Sequence, residues 1–111
     1  MEKSQDIRII FVTTVSLENA RQIAKILLTE KLAACCSIIQ NVVSLFGWEG
    51  AINERTESLM LIKTSENKVD DVERRVSEMH SDDVPEIISV ALDSGSTIYI
   101  KWLRQCIGVN E

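Results

Sequence analysis

The chain is poor in cysteine, proline, glycine and histidine, which excludes several ways of holding a small protein together. Its 111 residues contain three cysteines, one proline, four glycines and one histidine. An odd number of cysteines without paired spacing argues against a disulfide framework. One histidine with scattered cysteines cannot supply the four ligands of a closed structural zinc site. We therefore expect unpaired, buried cysteines and a fold that requires no metal ion.

Long apolar runs, basic blocks and catalytic motifs are also missing. No apolar stretch approaches the roughly 20 residues of a membrane span, and the first six residues are polar after Met1. A net charge of −5 without a basic cluster argues against nucleic acid and anionic membranes as partners. The sequence contains no Gly-rich phosphate loop, G-x-S-x-G elbow or Cys-His motif. These absences predict a cytoplasmic protein that is not an enzyme.

The residues that are present indicate one domain with alternating strands and helices. A length of 111 residues and a hydrophobic share of 45% suit a single core, which we place at 7–111 after a short polar tail at 1–6. Hydrophobic periodicity predicts a strand at 7–14, a helix capped by Ser16, hairpin arms at 38–48 and 58–62, a helix capped by Ser65 and ending at His80, a strand at 87–92, and a helix from Ser96 to Gly108.

This order, β-α-β-β-α-β plus a terminal helix, is that of the ferredoxin-like α+β fold. Crossovers between parallel strands are right-handed, so both main helices should cover the same face of the sheet. The other face would remain bare in a monomer. The strand at 87–92 is apolar on both sides, which predicts that it is buried.

The stretch 35–63 reads as one long hairpin, around which the rest of the chain is organised. Alternation in its first arm predicts two apolar faces, and the turn residues Glu49 and Gly50 lead to a predicted solvated tip at 53–55. At about 3.3 Å per residue the first arm spans roughly 35–40 Å, so it should protrude from its own subunit. One predicted face carries Ile38, Val42, Phe46 and Trp48, and the other carries Ile39, Val43 and Leu45.

A protruding apolar ribbon favours an oligomer in which other copies cover it. The candidate interface residues are Val43, Leu45, Phe46 and Trp48. An alternative is a shorter strand broken near Gly47, with Trp48 on a surface loop. Trp48 could also line a ligand pocket, although aromatic side chains more often serve cores or interfaces.

Several segments form a specific set in this order: Val12-Thr13-Thr14, Glu30-Lys31-Leu32-Ala33-Ala34-Cys35, Ser44-Leu45-Phe46-Gly47-Trp48-Glu49-Gly50, Leu61-Ile62-Lys63-Thr64, His80, Pro85-Glu86-Ile87-Ile88, Tyr99 and Trp102. Together they resemble the CutA family of divalent-cation tolerance proteins, over roughly residues 7 to 103. The resemblance implies a ferredoxin-like subunit assembled as a homotrimer through its long hairpins, with a role in tolerance to copper and other divalent ions.

The resemblance also implies candidate metal ligands, His80 and Glu86. An imidazole near carboxylates can hold Cu(II) or another divalent transition metal loosely, with water completing the coordination. The alternatives are a helix-end histidine in a polar turn and a glutamate that opens a strand. Some family members have a cysteine where this chain has Thr13, and its absence removes a soft ligand that favours Cu(I).

Three functions follow as hypotheses. The first is a homotrimer that binds divalent metal ions weakly at His80 and Glu86 without catalysis. The second is a trimeric small-molecule sensor related to the nitrogen-regulatory signal proteins. The third is a trimeric scaffold that displays partner proteins.

Overall fold

Nine helices and strands are present in the computed structural model, which describes residues 1–108. Three of the nine are helices and six are strands, arranged in two sheets. In chain order they are β1 (Glu2–Lys3), β2 (Ile7–Thr14), α1 (Leu17–Thr29), β3 (Cys35–Trp48), β4 (Ala51–Ser65), α2 (Val69–Met79), β5 (Ile87–Ala91), β6 (Ser94–Gly95) and α3 (Thr97–Cys106).

The larger sheet has the order β3-β4-β2-β5, and all neighbouring strands are antiparallel. Helices α1 and α2 pack on the same face of this sheet, as the crossover rule predicts. The β-α-β-β-α-β order and the α+β class are thereby confirmed. The residues that form this core are Ile10, Val12, Ala20, Ile23, Ala24, Leu27, Ala33, Met60, Ile62, Val72 and Val76.

Two of the three predicted helix caps are confirmed. The Ser16 hydroxyl accepts a hydrogen bond from the Asn19 backbone N–H at 3.0 Å, and the Ser96 hydroxyl accepts one from the Tyr99 N–H at 3.3 Å. The prediction for Ser65 was wrong. A 3-10 turn, Glu66–Lys68, separates Ser65 from α2, and the Ser65 hydroxyl instead bonds the Asn67 side chain.

The hairpin is longer than the sequence suggested. Strand β4 begins at Ala51, so residues 53–55, predicted as a solvated tip, are part of the strand. The turn consists of Glu49 and Gly50 alone, both with positive φ. The alternative of a strand broken near Gly47 was also wrong, because β3 continues to Trp48. Strand β2 pairs with β4 only over residues 58–65, so the segment 42–57 projects as two strands from a molecule measuring 48 × 26 × 22 Å.

A β-bulge changes which hairpin residues share a face. Between Ile39 and Val42, strand β3 has one residue more than the opposite stretch of β4, and Asn41 adopts φ 62° there. Beyond the bulge the alternation is inverted. Ile38 therefore shares a face with Val43, whereas Ile39 shares one with Val42. The two predicted faces were wrong for Ile38 and Ile39 for this reason.

The sheet face away from α1 and α2 is bare in the single chain, as predicted. Ile39, Ile88 and Val90 are about half exposed on it. The prediction that the strand at 87–92 is buried was wrong, because β5 is an edge strand that ends at Ala91 and lies mostly in solvent.

The first residues do not form a free tail. Strand β1 pairs with β6, within the segment 93–95 that was predicted as a turn, and Ser4 is buried. The Arg104 guanidinium of α3 bonds both Asp6 carboxylate oxygens, at 3.0 and 2.8 Å, and also Glu2 at 3.1 Å. These contacts attach the N-terminal segment to α3.

All three cysteines are free thiols, as expected, but they are half-buried rather than fully buried. Cys36 packs against the main core, and burial raises the pKa of its thiol to about 12. Among residues 1–108, no helix has both the length and the apolar character needed to cross a membrane.

Candidate functional site

A cleft of about 760 Å³ lies between the projecting part of the hairpin and the loop 80–86, beyond the end of β2. Its volume is in the range of small-molecule binding sites. One wall is hairpin and the other is loop, and Thr13 of β2 contributes to the base. The lining residues are Thr13, Ser44, Leu45, Phe46, Trp48, Asn53, Arg55, Glu57, Asp82, Asp83, Val84 and Glu86.

Arg55 holds the two walls together. Its Nη2 donates to Glu57 Oε2 at 2.6 Å on the same strand and to Asp82 Oδ2 at 2.7 Å on the loop. These two carboxylates raise the pKa of the Arg55 guanidinium. Its Nε–H is buried and has no acceptor within residues 1–108. Arg55 therefore fixes the position of the loop relative to the hairpin.

Glu57 is a charged residue in a buried position, with only 6% of its surface exposed. Burial by itself raises the pKa of a carboxyl group. Here the hydrogen bond from Arg55, its positive charge and the nearby hydroxyl groups of Ser44 and Thr13 outweigh that effect and hold the pKa of Glu57 below its usual value. The base of the cleft therefore carries an ionised carboxylate at neutral pH.

His80 lies at the end of α2, and both nitrogens of its ring are engaged. Its Nδ1 accepts a hydrogen bond from the Asp82 backbone N–H at 2.9 Å. Since a backbone N–H can only donate, Nδ1 is unprotonated, and Nε2–H donates to the Thr13 carbonyl oxygen at 2.7 Å. His80 thus connects the loop to the end of β2, behind the cleft.

The structure places the two predicted metal ligands differently. Glu86 lines the cleft with Asp82 and Asp83, whereas His80 is not among the lining residues. Within residues 1–108, no three His, Cys, Asp or Glu side chains are grouped closely enough to hold a metal ion. Any ion bound here would need water for most of its coordination sphere.

The four predicted interface residues divide between the two faces of the projecting hairpin. Phe46 and Trp48 lie on the face of Glu57 and form the aromatic part of the cleft wall, with Trp48 64% exposed. Val43 lies on the opposite face, as does the side chain of Leu45, which also borders the cleft. Both residues are more than half exposed.

Sequence reasoning missed Arg55 and Glu57 as site residues. The residues 53–55 were assigned to a turn because they are polar, and the alternation across the bulge was not visible. The only signal was an arginine and a glutamate two residues apart, which in a strand share a face.

Comparison with known protein families gives one match that covers most of the chain. The sequence model described as CutA1 divalent ion tolerance protein matches residues 8–106. The divalent-cation tolerance protein CutA of Thermus thermophilus is 37% identical over 100 residues, which are 90% of this chain and 97% of that protein. Protein CutA of Homo sapiens is 35% identical over 95 residues, but the chain spans only 53% of its length.

Solved structures agree with these sequence matches. The periplasmic divalent cation tolerance protein CutA of Archaeoglobus fulgidus superposes with a TM-score of 0.88 at 38% identity, covering 91% of this chain and 98% of that one. CutA1 of Oryza sativa superposes with a TM-score of 0.89 at 31% identity, covering 99% of each chain.

Proposed function

The chain belongs to the CutA1 divalent ion tolerance protein family, and on this basis we propose that it is a non-catalytic protein that binds divalent transition-metal ions weakly. Cu(II) is the ion chosen for the test, because imidazole and carboxylate groups both suit it. The observation that supports the proposal best is that Glu86 and Asp83 line the cleft without a cationic partner. No ion pair within residues 1–108 involves either carboxylate.

In this proposal Glu86 is the accessible oxygen ligand and His80 is the nitrogen ligand. Because both His80 nitrogens are hydrogen-bonded, a metal ion must displace one of these bonds to bind the ring. The free energy lost with that hydrogen bond offsets part of the free energy gained from the metal–nitrogen bond. This supports weak rather than tight binding.

Isothermal titration with Cu(II) tests this assignment. We expect Glu86→Gln and His80→Ala each to lower the affinity, whereas Glu54→Gln, on the opposite hairpin face, leaves it unchanged. Since His80→Ala also removes two hydrogen bonds, its melting temperature is measured alongside and Glu86→Gln decides the outcome. Equal affinity of the parent and Glu86→Gln would remove the proposed site.

We further propose that the protein assembles as a homotrimer that covers the bare sheet face around Ile39, Ile88 and Val90 and the hairpin face of Val43 and Leu45. The apolar exposure on both surfaces supports this assembly, and the number three comes from the family resemblance. Light scattering tests it through the mass in solution, which for a trimer is about three times 12.5 kDa. A stable monomer would contradict the proposal.

A second candidate function is the binding of a small molecule in the cleft. The combination of an aromatic wall, several polar side chains and a volume of about 760 Å³ favours it. A thermal-shift screen separates the two functions. Stabilisation by a small organic molecule, but not by Cu(II), supports the second function, and the reverse result supports the first.

A further inference from the structure

The two walls of the cleft differ in chemistry. The hairpin wall presents the aromatic rings of Phe46 and Trp48, which are 39% and 64% exposed. The loop wall presents the carboxylates of Asp83 and Glu86, which have no ion-pair partner in the described chain. An apolar aromatic surface therefore borders the same cavity as two unpaired negative charges.

The charge balance of the cleft determines whether a ligand should be positively or negatively charged. Four carboxylates line it, and Arg55 is the one cationic side chain among its lining residues. The Arg55 charge is already shared between Glu57 and Asp82. A ligand anion would meet net negative charge with no free cation to bind, whereas a ligand cation is attracted.

The lack of a three-ligand group and the presence of an aromatic wall favour an organic cation over a metal ion. A metal ion needs several ligand atoms within about 2.6 Å of one point, and residues 1–108 contain no group of three candidate side chains that meets this need. An ammonium group needs only one or two carboxylates, and the rest of the molecule can contact an aromatic surface. Aromatic rings also attract cations through their negative faces.

From these observations we propose that the cleft binds a small organic cation, a primary amine with an apolar or aromatic body. Its ammonium group lies toward Asp83 and Glu86, and its body packs against Phe46 and Trp48. This inference rests on the second function proposed above, the binding of a small molecule in the cleft. It assigns Phe46 and Trp48 to ligand contact and leaves Val43 and Leu45 to assembly.

Three probes of one shape test the proposal: benzylamine as the cation, benzyl alcohol as its neutral counterpart and benzoate as the anion. The chain has two tryptophans, so in a Trp102→Phe variant the fluorescence reports on Trp48 alone. We expect saturable quenching by benzylamine and none by the other two probes. Equal binding of benzyl alcohol or benzoate overturns the proposal, because it removes the requirement for positive charge.

Variants locate the binding of benzylamine. The double variant Asp83→Asn, Glu86→Gln should weaken binding about tenfold. It removes two charge contacts to the ammonium group, and the position of that group against the aromatic rings depends on these contacts. Trp48→Leu, followed by calorimetry, should weaken it about fivefold or more. The matched control is Asp71→Asn on the exposed surface of α2, which should leave binding unchanged. Unchanged affinity in the double variant overturns the proposal even if benzylamine binds elsewhere.

A Cu(II) titration of Trp48→Leu separates this inference from the metal-binding function. Metal binding at Glu86 does not involve an aromatic ring, so Cu(II) affinity should stay at the parental value. Benzylamine binding without Cu(II) binding supports the organic-cation site and contradicts the metal function. Cu(II) binding without benzylamine binding does the opposite.

Discussion

Arg55 and Asp82 are 27 residues apart in the sequence and lie 2.7 Å apart, Nη2 to Oδ2, at the boundary between hairpin and loop. This pair belongs to a network of contacts. Asp82 donates its backbone N–H to His80, His80 donates to the Thr13 carbonyl, and Arg55 also bonds buried Glu57. These contacts join β2, the hairpin and the loop after α2, so they set the shape of the cleft.

Replacing Arg55 with methionine should destabilise the protein. The change leaves Glu57 buried without its cationic partner, and such losses cost several kcal/mol. Since the Arg55 side chain is 36% exposed, water offsets part of the loss, and we expect about 2–3 kcal/mol. Urea unfolding at fixed protein concentration measures it.

The double variant Arg55→Met, Glu57→Gln provides the control for this interpretation. It removes the buried charge together with its partner, so part of the stability should return. Arg74→Met on the exposed surface of α2 should change stability by less than about 0.5 kcal/mol. A double variant no more stable than Arg55→Met would show that the unpaired charge is not the cause.

The Asp6–Arg104 pair should contribute stability that depends on pH. The Arg104 guanidinium hydrogen-bonds Asp6 and holds the pKa of that carboxyl below its ordinary value of 3.8. A carboxyl with a lowered folded-state pKa stabilises the fold above its unfolded pKa and loses that contribution as the pH falls through the folded value. Asp6→Asn should therefore be less stable than the parent at neutral pH, and the difference should shrink below about pH 4.

Thermal unfolding at several pH values from 7 down to 2.5 measures this difference in stability. In an Arg104→Met background the partner is gone, so Asp6→Asn should have an effect that changes little with pH. If the difference in melting temperature between the parent and Asp6→Asn is unchanged at pH 2.5, the ion pair is not its source.

Gly95→Ala should destabilise the packing of α3. A Cβ atom at Gly95 would lie 2.6 Å from Ile100 Cδ1 and 2.8 Å from Ile100 Cγ1. Ile100 is fully buried, so it cannot swing into solvent, and overpacking of this kind costs about 1–3 kcal/mol. Chemical denaturation measures the loss, and Ile100→Val in the same chain should recover part of it. Gly47→Ala is the control, because no atom lies within 4 Å of its added Cβ.

Val43→Asp should block assembly without unfolding the subunit. Val43 is 55% exposed in the single chain and lies on the hairpin face away from the cleft, so a charge there costs little until another copy covers it. Light scattering should show a smaller mass than the parent, while circular dichroism stays the same. Ser77→Asp, exposed on α2, should leave the mass unchanged. A Val43→Asp protein of parental mass and melting temperature would mean that this face is not an interface.

More of the fold than of the site could be predicted from the sequence. Periodicities of 2 and 3.6 residues are local, so they located β2, α1, β3, α2 and α3 within a few residues, whereas β4 begins at Ala51 rather than at 58. The site depends on loop geometry instead. Polar residues such as Arg55 favour a solvated tip by composition alone, and the contact that holds Arg55 depends on the path of the loop that contains Asp82.

Patterns of neighbouring residues were enough to establish the order of the main helices and strands, the α+β class, the bare sheet face and the family. Which hairpin side chains share a face became clear only from the packed chain, since one extra residue at Asn41 inverts the alternation. The tertiary structure also turned His80 away from the cleft by hydrogen-bonding it to Thr13, 67 residues earlier. Contacts across such distances depend on how the whole chain packs, and local patterns contain no record of them.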